Sequence, residues 1–237
     1  MKLRIPINKI TLKHHFTYNL WKYILLVIVS IFFVDIVYST TAYRSPEDKR
    51  IDIYIQGAIS NQSDIDDLFE EMRIDFLPEV EVIRSAFLLS GSQDDMYAAQ
   101  QLTTYLAVGE GDLYLLEAED FKRYAAQGVF IDLSQAIEDG ILNTKGIDLS
   151  SGYVAIQEYD MEKDRVVIGG EKRLYGIPAA SLDGLLSEFG IFNQDLFIAM
   201  TVFNGNDENV LRFFNELINR THRESSENQL VVEGLKP

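Results

Sequence analysis

The chain offers few groups suited to covalent or acid–base chemistry. Its three histidines are His14, His15 and His222, and it has no cysteine. A Ser–His or Cys–His nucleophile needs a base within hydrogen-bond reach. Two of the histidines precede a long apolar run and the third lies near the other end, so no such pair is predicted. The absence of cysteine rules out disulfides, thiolate zinc sites and attachment of a lipid through a thiol. His14 and His15 together read as a flank of the apolar run and not as a metal site. Carboxylates are plentiful. DIDD (64–67) reads as the first turn of a helix, where the dipole favours anions. In YDMEKD (159–164), Asp160, Glu162 and Asp164 alternate as in a calcium loop, but the glycine and distal glutamate of such a loop are missing. That stretch therefore reads as a solvated hairpin turn. A glycosidase needs two carboxylates opposed across a cleft, and nothing in the sequence singles out such a pair. Gly169 and Gly170 form a turn and not a phosphate loop, because no Lys-Ser/Thr follows a glycine run. NGND (204–207) reads as a turn that caps a helix. The single tryptophan, Trp21, lies in the apolar run, so it offers no platform for stacking a sugar. Tyr54, Tyr97, Tyr114 and Tyr175 are the alternatives, each also readable as core or rim. No cofactor motif, metal site or catalytic residue is assigned.

Charge is unevenly distributed. Before residue 41 stand Lys2, Arg4, Lys9, Lys13 and Lys22 against one acid, Asp35. The rest holds 16 basic and 36 acidic residues, a formal charge of −20. That balance repels phosphate backbones and excludes nucleic acid as a partner. LWKYILLVIVSIFFVDIVY (20–38) approaches the roughly 20 apolar residues that span a bilayer as a helix. Its two charges, Lys22 and Asp35, lie towards its ends, and Trp21, Tyr23 and Tyr38 stand where an interfacial belt would form. Basic residues on its N-terminal side predict a cytoplasmic N-terminus and an extracytoplasmic acidic domain. A cleaved signal peptide is the competing reading, with small Thr40 and Ala42 before a cut after Ala42. The long basic segment and long apolar core favour an uncleaved anchor.

The expected organisation is a basic cytoplasmic segment (1–19), a transmembrane helix (20–38), a polar linker (39–50), an α/β domain (51–220) and a polar tail (221–237). IDIYIQG (51–57) alternates with Ile51, Ile53 and Ile55 on one face and predicts a strand. Ser63 is read as the cap of a helix with Ile65, Leu68, Phe69 and Met72 as its apolar stripe. VEVIRSAFLL (80–89) predicts a second strand, followed by a helix carrying Met96, Ala99, Leu102 and Leu106 and stopped by Gly109 and Gly111. DLYLL (112–116) predicts a third strand covered on both faces. Residues 119–126 then predict a helix with Phe121, Tyr124 and Ala125 inward and Gly128 past its end. Strand and helix alternate with short joins, the signature of βαβ units and a mostly parallel sheet. Further on come two strands around a charged turn and a short strand ending at Pro178. A short helix (181–190), a strand (196–203) and a helix with Val210, Phe213, Phe214 and Leu217 inward complete the order.

Three stretches carry a resemblance. GDLYLLEAEDFKRYAAQGVFIDLSQ (111–135) resembles a segment of the extracellular solute-binding proteins, the sugar-binding group that serves ABC importers. LYGIPAA (174–180) is similar to the Tyr-Gly-Ile-Pro signature at which members cross between their two lobes. FIAMTVFNGNDENVLRFFNELI (197–218) resembles the later return strand and its helix. With the two opening βα units, the resemblance covers most of 48–220. It implies a periplasmic-binding-protein-like lobe. The departure is that only 17 residues separate Pro178 from Leu196, where the family places most of its second lobe. A single lobe behind one membrane helix is therefore expected.

In open α/β sheets the ligand edge lies at the carboxyl ends of the strands. The candidate ligand-binding residues there are Gly57, Ser60, Ser90, Ser92, Glu117, Asp120, Pro178 and Ser181. The same serines and aspartates also read as helix caps. The functional expectation is a non-enzymatic, membrane-anchored binding module, accessory to an ABC-type transporter or another membrane complex, with a permease or sibling membrane protein as partner. A carbohydrate or related small-solute receptor that rebuilds the clamp as an oligomer is the alternative, and a cell-surface hydrolase is the remote one.

Overall fold

The computed structural model describes residues 9–57, 59–60, 62–88, 95–160, 165–201 and 205–222. The chain divides into two units, Met1–Arg44 and Ser45–Pro237. The first contains one helix, α1 (Lys9–Thr41). Its Thr17–Thr41 portion is long and apolar enough to cross a membrane. The hydroxyls of this helix bond to carbonyls one turn back: Ser30 Oγ donates to Leu26 O at 2.8 Å, and Thr40 Oγ1 to Ile36 O at 2.8 Å. Polar atoms are thereby satisfied without water.

The second unit is a three-layer α/β/α lobe. In chain order it contains β1 (Arg50–Gln56), α2 (Gln62–Phe76), β2 (Val82–Leu88), α3 (Asp95–Val108), β3 (Leu113–Glu117) and α4 (Ala118–Ala126). Next come α5 (Ser134–Glu138), β4 (Tyr153–Val154), β5 (Gln157–Asp160), β6 (Arg165–Ile168), β7 (Arg173–Leu174) and β8 (Ile177–Pro178). It ends with α6 (Gly184–Ser187), β9 (Leu196–Met200) and α7 (Asp207–Thr221). The main sheet has the order β2-β1-β3-β9-β8. β1 pairs parallel with β2 and β3, while β9 runs antiparallel to both β3 and β8. Four of its five strands thus run one way. The 17-residue link from β8 to β9 stays at one end of the sheet, and a chain that does not cross back over the sheet must return antiparallel. The hairpin β5–β6 and the small ladder β4–β7 lie outside this sheet.

The alternation of β1 divides the core. Ile51, Ile53 and Ile55 face α2 and α7, meeting Ile65, Phe69, Phe213 and Phe214. Tyr54, Tyr114, Leu116 and Phe197 face the other way, towards Leu102, Phe121 and Tyr124. Phe121 stacks on Phe197 with centroids 4.5 Å apart.

Several local expectations shift. Ser63 lies inside the first turn of α2 and not at its cap. Ala98, one residue before the expected Ala99, is the buried alanine of α3. At the start of α5, Asp132 Oδ1 accepts the Ser134 N–H at 3.0 Å. The expected 181–190 helix shrinks to one turn, because the link turns back there to cover the core. α7 carries Thr221 as a fully buried residue, and the His222 ring lies 3.3 Å from Ser181 O. The chain therefore stays docked slightly past the expected start of the tail. The Asp160–Glu162–Asp164 pattern falls outside the described residues or side chains.

Candidate functional site

The carboxyl ends of β1 and β3 meet at one edge of the sheet, and Gln56 organises it. This side chain is nearly buried at the end of β1. Its Nε2 donates to Asp120 Oδ2 at 2.6 Å, and its Oε1 accepts the Glu117 N–H at 3.1 Å. Together these bonds fix where α4 leaves β3. Glu117 occupies the cap position of α4 with extended backbone and makes no capping bond with its carboxylate. Gly57 follows Gln56 with φ +106°, a conformation that side-chain-bearing residues rarely adopt.

The link from β8 to β9 forms the other side of this edge. Leu182, Leu185, Phe189 and Ile191 are buried, and Phe69 packs against Phe189 with centroids 5.6 Å apart. Asn193 is buried, and its amide donates to Ala179 O at 2.7 Å and Leu182 O at 3.0 Å. The Ser60 N–H donates to Gly190 O at 2.9 Å, which ties the loop after β1 to the link. With its apolar residues inward, the link leaves Leu186 and Phe192 outward, 45% and 55% exposed.

Between these two sides lies a cleft of about 710 Å3. Gly57, Glu117, Ala118 and Glu119 line it from the strand ends, Leu186 with residues 192–195 from the link, and Leu196 from the start of β9. Glu117, Glu119 and Asp195 make it acidic, and among the described residues no lysine or arginine lines it. Such a surface accepts hydrogen bonds from hydroxyl or amine donors and repels anions. Phe192 adds an aromatic face. His222, whose ring faces Ser181 O, is not among its lining residues.

Of the eight residues expected at this edge, Gly57 and Glu117 come together in the cleft. Asp120 is engaged by Gln56 and by Arg123, its ion-pair partner at 2.5 Å. Ser60 faces Gly190, and Pro178 is buried at the end of β8. Ser181 lies on the link, where its carbonyl faces His222. Ser90 and Ser92 lie outside the described residues. Among the proposed aromatic platforms, Tyr54, Tyr114 and Tyr175 are core and Tyr97 is exposed on α3. Phe192, Gln194 and Asp195 were not anticipated. The apolar phase of the link, with Leu182, Leu185, Phe189 and Ile191 inward, is the signal that places Phe192 outward.

A second, smaller cleft of about 300 Å3 opens at the opposite edge, lined by Glu47, Arg50, Asp52, Gly109, Glu110 and Asp112 among others. Asp112 is only 3% exposed. Its Oδ2 accepts the Asp52 N–H at 2.6 Å, and its Oδ1 has no partner among the described residues. Burial pushes its carboxyl up to about 7, against the opposing effect of the Asp52 N–H bond. Arg50 lies 2.6 Å from Asp52 and partly balances this acidic group.

No protein-family model and no curated protein matches the chain. Three solved structures are similar to part of it. An extracellular solute-binding protein family 1 member from Alicyclobacillus acidocaldarius matches at 21% identity and TM-score 0.38, covering 57% of this chain and 29% of its own. An ABC substrate-binding protein from Listeria monocytogenes, in complex with cycloalternan, matches at 23% identity and TM-score 0.34, covering 54% and 28%. The apo-form of RafE from Streptococcus pneumoniae matches at 17% identity and TM-score 0.30, covering 57% and 29%. The matched part thus spans under a third of each of these structures.

Proposed function

We propose that the chain is a membrane-anchored, extracytoplasmic binding module that works as the accessory of an ABC-type transporter or another membrane complex. One observation carries this reading: the cleft at the strand ends is built from a single lobe whose core is already closed by the link from β8 to β9. Closed small-molecule sites bury roughly 70–90% of their ligand. A cleft lined from one sheet edge and one link suits a broad contact instead, and exposed Leu186 and Phe192 give it an apolar rim. The sequence resemblance to solute-binding proteins supports a binding role and an association with importers. The basic flank of α1 supports an N-terminus inside and a lobe outside.

The test is native electrophoresis of the full chain, extracted from its own membranes in mild detergent. The proposal expects a complex larger than the chain alone, which Phe192→Asp releases while the lobe's unfolding midpoint stays unchanged. A chain that runs alone in both forms contradicts it. A lobe that instead binds a saccharide tightly favours the receptor reading, in which a second copy completes the clamp.

A further inference from the structure

The apolar helix α1 carries two charges that a bilayer cannot place equally well. Lys22 and Asp35 are 13 residues apart, about 20 Å along the axis at 1.5 Å per residue. The hydrocarbon layer is about 30 Å thick, and tilt shortens the projected separation further. Both charges therefore cannot reach opposite boundaries. Lysine has a long stem and snorkels its ammonium outward. Aspartate has a single methylene, so Asp35 keeps its carboxyl inside the apolar layer. The hydroxyls of this helix accept that environment by bonding to carbonyls one turn back. Asp35 has no hydrogen bond or ion pair of this kind among the described residues.

Asp35 borders a defined face. Val27, Ser30, Ile31, Val34 and Tyr38 follow helical spacing and share one face of α1 with it. We infer that this face is a docking surface for a transmembrane helix of another polypeptide, one that carries a lysine or arginine at the depth of Asp35. The inference rests on the anchor reading above. Charge complementarity selects the occupant. A second copy in the same orientation sets Asp35 against Asp35, and its Lys22 lies about 20 Å away along the axis. Ionisable residues inside a membrane face a bundle interior and pair with one another, and a partner helix with its cation at the depth of Asp35 meets that condition where a second copy does not.

The cysteine-free chain makes the test direct. Full-length Val34→Cys is co-expressed with a single-span polyleucine helix bearing one cysteine, and one arginine at the depth of Asp35. Disulfide yield under mild oxidation is compared with that of the same helix without arginine. The inference expects at least a tenfold higher yield with arginine. It expects Asp35→Asn, or moving the arginine seven residues towards the other leaflet, to return the yield to the polyleucine level. Equal yields with both probes, a yield unchanged by Asp35→Asn, or Val34→Cys homodimers as the main product would overturn it. Insertion is read separately in the same membranes, by resistance to alkaline extraction and by labelling of Glu47→Cys with a membrane-impermeant maleimide. A chain that alkali extracts overturns both the anchor and the docking surface. A retained chain with no preference for arginine overturns the docking surface alone.

Discussion

Asp112 shows what one buried group contributes to the behaviour of the lobe. The unfolded chain ionises this carboxyl near the ordinary aspartate value of 3.8, whereas the fold holds it protonated to about 7. Between those values the folded state binds the extra proton, so stability falls as pH rises through this window and levels off above it. A difference of this size corresponds to about 4 kcal/mol at most. Asp112→Asn keeps an acceptor for the Asp52 N–H and removes the ionisation. Urea unfolding at pH 5 and pH 8 is expected to show a loss of roughly 2–4 kcal/mol in the parent that largely vanishes in the variant. Equal slopes for both proteins would contradict the assignment. The sequence reads Asp112 only as the first residue of an apolar strand. It is held where Asp52, on the neighbouring strand, donates its N–H to the carboxylate, and where Thr201, just past β9, gives its N–H to the Asp112 carbonyl at 3.0 Å. Both partners are distant in sequence, so no local pattern announces the site.

At the scale of elements, the link from β8 to β9 decides what kind of molecule this is. It seals the core against α2 and α7, and it supplies half of the cleft's lining. Gly184 lies against α7 so closely that a Cβ would meet Thr221 Cα at 2.5 Å. Both sides of that contact are backbone, so Gly184→Ala is expected to cost about 1–3 kcal/mol. Asn193→Ala leaves the Ala179 and Leu182 carbonyls without their donor, at an expected cost of about 2 kcal/mol. Guanidinium unfolding of residues 45–237 measures both; a midpoint unchanged in either variant would mean that the link is not docked as described. The sequence displayed much of this architecture. The isoleucines of β1, the stripe of α2, the inward residues of α4 and those of α7 stand where their spacing put them. The direction of β9 was not legible, because LFIAM is apolar throughout and a strand buried on both faces reads the same in either direction. Nor was the cleft lining, since Leu186 and Phe192 look like core until the opposite face of the link is seen to be the buried one.

The whole molecule combines an apolar helix with an acidic lobe, and one-sided contact is the mode of binding proposed for that lobe. Its charge agrees with an acidic cleft that disfavours anions, so binding of a neutral or cationic partner surface should weaken as salt rises from 50 to 500 mM. A salt-independent interaction would point to the apolar rim alone. The most direct measurement is thermal unfolding of residues 45–237 across a panel of mono- and oligosaccharides at 1 mM. One-sided contact predicts shifts below about 1 °C. A micromolar grip would add about 4 kcal/mol at this concentration, or roughly 8–16 °C for a domain of this size, and a shift of that order would contradict the account.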